Sequence, residues 1–338
     1  MTQIDIIKEC QICSEVSQAN GEALIGSAGN YNHFLFVEMA EPWARNFVYE
    51  HPQLGAIYAM AEDLEQEQVN IRVMAIAPDY HHSNSNLTRV LHYQRPTGQF
   101  ARFEKQEFLI PHEKIMSLAI ALLKQLSELS QFDAYRQQTN HIRDMMLCTH
   151  GSYDLACGRF GYPLYRQLRS EYAANAESRF RVWRCSHLGP HNFAPLLVDF
   201  PEGRYWGHLK PEILPLLVQR NGSVAKLYPF YVGWAGISWA EQIAEREIWM
   251  QEGWDWVNDR KSGQTLAIDP SDEDYPDWAE VRIDFTSVNG HSGAYEARIE
   301  AKGTVKTMWT SGKDQPLWEV KQYHVSRLDK VVKSQILS

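Results

Sequence analysis

Two cysteines and two histidines carry the densest chemistry in this sequence. Cys148 and Cys157 bracket the stretch CTHGSYDLAC, and His187 and His191 bracket HLGPH. On a helix, histidines four apart would share one face. Here Gly189-Pro190 lies between them; proline removes a backbone donor and pushes its predecessor out of the helical region, so the pair belongs to a loop. Two sulfur and two nitrogen donors suit tetrahedral zinc or an iron–sulfur cluster. Structural zinc sites usually pair cysteines two to four residues apart, which an eight-residue gap fits poorly. A binuclear cluster is wider than one ion and tolerates a longer loop. The spacing leans towards iron–sulfur and leaves zinc open.

These residues need elements that bring them together. HIRDMMLCT (141–149) reads as a strand ending at Cys148. A helix over roughly 162–175 follows, and RFRVWRCS (179–186) reads as a strand leading into the histidine loop. In a parallel β-α-β unit both strands end on one edge of the sheet, so the two thiols and two imidazoles can converge there. Two short strands, PLLVDFP and RYWGHLK, and a helix near 211–220 complete a β-α-β-β-β-α order that suits a thioredoxin-like layer. The first half is roughly similar: strands at 33–40 and 69–79, an edge pair at 87–96 and 99–110, and a helix from Pro111 to about Ser130. From about 228 the pattern changes. SWAEQIAEREIWMQEG carries a capping box at Ser238 and Glu241, and strands at 279–288, 293–303 and 317–328 follow. The expected fold class is α/β, with two thioredoxin-like α/β halves packed together and a small C-terminal α+β appendage. The expected boundaries are 1–132, 133–227 and 228–338.

CTHGSYDLACGRFGYPLY together with CSHLGPHNFAPLLVDFPEGRYWGHL resembles the sucrase/ferredoxin-like family, a branch of thioredoxin-like ferredoxins. Its pattern is a cysteine, eight residues, a second cysteine, then a His-x-x-x-His loop of the type HxGGH. All four positions are kept, with Pro190 where the family usually has glycine. CSEVSQANGEALIGSAG and EMAEPWARN resemble its N-terminal half, so the likeness covers roughly residues 10–245. The resemblance implies a [2Fe-2S] cluster held by Cys148, Cys157, His187 and His191, and hence one-electron transfer. The expected partner is a redox protein acting as donor or acceptor, a flavoprotein reductase among the candidates. The chain is expected to be an electron carrier more than an enzyme with its own substrate chemistry. Two alternatives stand beside it: a thioredoxin-like thiol oxidoreductase using Cys10/Cys13 or Cys148, and a zinc-stapled interaction module.

Other features are weaker. Cys10-x-x-Cys13 lacks the preceding strand that a dithiol redox motif normally follows. Cys185 reads as a buried core residue, His150 as a loop cap, His81-His82 as a loop tip. Trp43 and Arg45 are expected to pack between the halves, and Arg159 and Arg184 to be solvated arginines flanking the cluster loops. The acidic run 269–278 reads as a solvated loop. Glycines in GSAGNYNHF lack the spacing of a nucleotide loop, and no paired carboxylates are placed for glycoside hydrolysis. With 338 residues, 44% hydrophobic and 22% charged, the composition is that of a globular chain, and a net charge of −9 argues against nucleic acid. No apolar stretch is long enough for a bilayer, and no secretory signal is visible. An odd count of five cysteines argues against a disulfide framework. A cytoplasmic location, with no membrane partner, is expected.

Overall fold

The computed structural model describes residues 12–79, 83, 86–174, 179–272, 275–312 and 314–332. Nine strands form one mixed sheet: β1 (His33–Glu38), β2 (Ile71–Ile76), β3 (Thr88–Gln94), β4 (Glu104–Ile110), β5 (Arg143–Cys148), β6 (Phe180–Cys185), β7 (Leu197–Phe200), β8 (Arg204–Trp206) and β9 (Tyr231–Trp234). Their spatial order is β4-β3-β1-β2-β6-β5-β7-β8-β9. The halves repeat one another. β1 and β2 are parallel with β3 and β4 added antiparallel, and β5 and β6 are parallel with β7 and β8 added antiparallel. The fold is α/β, as expected, and the halves meet edge to edge. β2 pairs antiparallel with β6 at Ile76 and Cys185, flanked by backbone bonds from Ala77 to Arg184 and from Ser186 to Ala75, each 2.9 Å.

β1, one strand in from this seam, is apolar on both faces because both are covered. In β1, Leu35 and Val37 face the helices Pro52–Glu65 and Ile115–Leu123, while Phe34 and Phe36 face the opposite side with Phe200 and Tyr205. This is the period-two alternation of a strand used twice. The helix Pro52–Glu65 lies in the stretch between the first two strands that carried no element assignment. Pro52 starts it, and Leu54, Ile57, Met60, Ala61 and Leu64 form its buried stripe. The helix expected over 111–130 is shorter. Its α-helical part is Ile115–Leu123, and Leu126–Tyr135 is 3₁₀. Ile115, Leu118 and Leu122 are buried, but Leu126 is 58% exposed, so the apolar stripe that would hold further turns against the sheet ends there.

β9 lies beyond residue 227 and adds to the large sheet. The helix Trp239–Glu252 follows, with both halves of the Ser238/Glu241 capping box formed. It is buried on nearly every side, because it is sandwiched between β9 and a second sheet. That antiparallel sheet runs β10 (Arg260–Ile268), β11 (Trp278–Thr286), β12 (Ser292–Thr307) and β13 (Trp318–Val332). One hydrophobic core extends from Phe34 and Trp183 through Trp249 to Val281 and Ile299. Among the described residues no helix is long and apolar enough to cross a membrane.

Candidate metal centre

β5 and β6 run parallel in register, with Cys148 opposite Cys185, so both strands end at one rim. From Cys148 the chain turns through His150, Tyr153 and Asp154 to Cys157, which opens a five-residue π-helical segment, Cys157–Gly161, leading into the helix Tyr162–Tyr172. Two glycines let this loop close. A Cβ on Gly158 would stand 2.9 Å from the Gly151 Cα, and one on Gly161 would stand 2.1 Å from the Cys148 carbonyl oxygen. After β6, His187 lies on the loop and His191 begins a short 3₁₀ turn past Pro190.

The ligand-type atoms of Cys148, Cys157 and His187 lie within 4.8 Å of one another. Both thiols are buried. Cys157 hydrogen-bonds Cys148, and with the neighbouring His187 ring this holds the Cys148 thiol well below its ordinary pKa; the Cys157 thiol is pushed up correspondingly. His187 is well braced. Its backbone N–H donates to His150 Nδ1 at 3.3 Å, and its carbonyl accepts from Arg72 at 2.8 Å. His150 Nε2 in turn donates to the Ala44 carbonyl at 2.9 Å. His150 is therefore a loop cap, as expected. The Tyr153 ring stacks on His187 with centroids 3.6 Å apart.

His191 stands to one side. Its ring centroid is 5.4 Å from that of His187, and its Nε2 is 3.5 Å from Asp154 Oδ2. It shares a second set of ligand-type atoms, within 4.8 Å, with Cys13 and Asp154. Asp154 is tightly held: it accepts from the Ala156 N–H at 2.8 Å, the Ser311 N–H at 2.8 Å and the Ser311 hydroxyl at 2.7 Å. Cys13 donates its backbone N–H to the Ser311 hydroxyl at 3.1 Å. Met308 packs with Ile12, Cys13, Ala156 and Ala194. The turn between β12 and β13 thus closes over the His191 side of the site. Burial lowers the pKa of both imidazoles, favouring their neutral, ligating form.

At the site, His187 Nδ1 is buried without a hydrogen-bond partner, and the His191 ring, set beside Asp154 and the Trp309 backbone, makes no close hydrogen bond from either nitrogen. Buried polar atoms are normally paired, and orphans cost stability. Such imidazoles beside two buried thiols make a donor set that can hold a metal.

The remaining candidates fall as follows. Cys185 is fully buried in the core, as expected. Trp43 is buried with its indole edge on His150, between the halves; Arg45 instead lies exposed over the Tyr153 ring. Arg159 is exposed, but Arg184 is partly covered and ion-paired to Glu41 at 2.5 Å. In the acidic run, Asp269 is buried and accepts from the Ser271 and Asp277 N–H groups, ordering that turn. Cys13 begins the helix Cys13–Ala19, and burial pushes its thiol up to about 12. Cys10 and His81-His82 lie outside the described residues. Sequence reasoning missed Tyr153, Asp154 and Ser311. The first two lie inside the cysteine loop and were open to inspection; Ser311 is 157 residues from its partner Asp154 and only the tertiary fold brings it there.

No curated protein and no solved structure matches this chain. The model of the sucrase/ferredoxin-like family matches residues 24–232, a span that contains Cys148, Cys157, His187 and His191 and leaves out Cys13 and the β12–β13 turn. The chain belongs to the sucrase/ferredoxin-like family.

Proposed function

We propose that this protein is a one-electron carrier holding a single [2Fe-2S] cluster through Cys148, Cys157, His187 and His191. The observation that carries the reading is the shape of the donor set. Three of the four donors converge within 4.8 Å, while the His191 ring stands beside them with its Nε2 3.5 Å from Asp154. One tetrahedral zinc, with bonds of about 2.0–2.3 Å, draws its ligands tightly together. A set spread this way suits a wider, binuclear group. When bound, such a cluster takes up and gives back one electron, and two neutral imidazoles in place of thiolates place its potential at about −150 to +300 mV, against about −400 mV for plant-type ferredoxins.

The chain's own residues orient and shield the centre. His150 and Arg72 fix the backbone of His187, and Tyr153 covers its ring. Asp154 and the Met308–Ser311 segment cover the His191 side. The partner is another redox protein, with a flavoprotein reductase the expected type of donor, and a transient encounter needs only a small interface. We place the chain in the cytoplasm.

A thiol oxidoreductase using Cys148 is the second reading, favoured by the lowered pKa of that thiol. Cys13, with its pKa pushed up to about 12, is protonated at neutral pH and a poor nucleophile. The readings separate on anaerobic purification. The carrier is red-brown and contains about two iron and about two acid-labile sulfide per chain. One zinc without sulfide, or a colourless protein active on disulfides, contradicts the proposal.

A further inference from the structure

Among the described residues two partly buried arginines, Arg72 and Arg95, pair with no carboxylate, and Arg95 donates instead to Asn30 Oδ1 and the Gly236 carbonyl. The other arginines of the interior have carboxylates: Arg89 and Arg181 pair with Glu107, Arg204 with Glu245, Arg143 with Asp199. Arg72 donates to the His187 carbonyl, its Nε is buried without a hydrogen-bond partner, and the ionisable groups nearest it are tyrosines, His187 and Cys185, none of them a carboxylate. Among the described residues no carboxylate pairs with Arg72 or with Arg45. Arg72 is partly buried, and covering a cation without a counter-charge is costly unless something else supplies one.

Both arginines line one cleft, with Tyr49, Tyr58, Tyr153 and His187, and no acidic side chain lines it. With its open mouth the cleft measures about 320 Å³. Tyr49 and Tyr58 meet edge to face with centroids 4.5 Å apart, and Arg45 lies over the Tyr153 ring. The proposed cluster does not supply the missing charge, because two ferric ions, two sulfides and two thiolates sum to zero.

We propose that this cleft binds a small free oxyanion, of the size of a carboxylate or nitrite, between the Arg72 and Arg45 guanidiniums and against the His187–Tyr153 stack. A guanidinium fork matches a two-oxygen anion. At about 320 Å³ with its mouth included, the cleft is at the small end of ligand sites, which suits an anion of a few atoms. The site lies beside the metal centre and does not require the cluster.

The test is a titration of the full chain with sodium formate, followed by tyrosine and tryptophan fluorescence, against sodium chloride at equal ionic strength. A second arm uses a short peptide with a free or an amidated C-terminus. Formate is expected to saturate and chloride not. Arg72→Met should weaken formate at least about tenfold, and the exposed Arg45→Met, which does not depend on the core, several-fold. If Arg72→Met fails to fold, Arg45→Met decides. A formate response equal to that of chloride, or unchanged binding in Arg45→Met, overturns the site. Saturation by the free-carboxylate peptide but not by formate also overturns it, since the anion would then belong to a partner protein.

Discussion

At the scale of single residues, the centre depends on donor identity and on what holds each donor. Cys148→Ser or Cys157→Ser should abolish the visible absorption of the anaerobic protein, because a hydroxyl is a poor substitute for a thiolate on iron. His191→Cys adds a thiolate and should keep the cluster while lowering its potential by on the order of 100 mV or more, the direction in which plant-type centres lie. Asp154 lies 3.5 Å from His191 Nε2 and is clamped by Ser311 and Ala156, so it orients that ring. Carboxylates of this kind change metal affinity about 10–100-fold when removed. Asp154→Asn should therefore shorten the lifetime of the cluster against a chelator, and a lifetime equal to wild type would remove Asp154 from the account.

At the scale of elements, the loop between β5 and the helix Tyr162–Tyr172 works only with small residues at its crossings. Gly161→Ala puts a methyl 2.1 Å from the Cys148 carbonyl, so either the strand end or the helix start must move. A cost of about 1–3 kcal/mol in stability is expected, with iron content falling alongside it; a variant that keeps full stability and iron would show that the closure is not tight. Much of this element was legible. The runs HIRDMMLCT and RFRVWRCS marked β5 and β6, and the Gly-Pro pair marked the histidine loop after β6, because local backbone chemistry dictates them. The helix Pro52–Glu65 has a regular apolar stripe and was open to the same reasoning. β10 was not. Its sequence, RKSGQTLAI, is largely polar, and what makes it a strand is its pairing with β11 and the bridge from Lys261 to Phe100. The grouping of His191 with Cys13 and Asp154 was likewise hidden, since Cys13 and Asp154 are 141 residues apart.

At the scale of the whole molecule, a buried ionic cage ties the halves together across the sheet. Glu107 of β4 accepts from Arg89 of β3 and from Arg181 of β6, the latter at 2.7 Å. Asp144 of β5 accepts from Arg181 Nε at 2.8 Å, from Trp183 at 2.8 Å, from Tyr93 at 2.7 Å and from Lys105. Burial alone would raise the Asp144 pKa, but Arg181 and Lys105 outweigh it and hold the carboxyl well below its ordinary range. Glu202 is likewise lowered to about 2, with Arg220 outweighing its burial. Carboxylates with depressed folded pKa values contribute stability that is present above the unfolded value of about 4 and is lost as pH falls through the folded value. The urea midpoint should fall steadily below about pH 4.5, and a flat profile to pH 3 would contradict this. Asp144→Ala leaves Arg181 and Lys105 with an unbalanced buried charge and should cost about 3–5 kcal/mol. A rigid frame of this kind holds two loops from one sheet edge, and a turn from the second sheet, around four donors. Pulsed electron paramagnetic resonance on the dithionite-reduced protein, prepared with ¹⁵N-histidine, tests that arrangement most directly. Two strongly coupled histidine nitrogens are predicted, falling to one in His187→Cys or His191→Cys. A reduced-cluster signal without histidine coupling would contradict the account, and so would a silent sample that holds zinc.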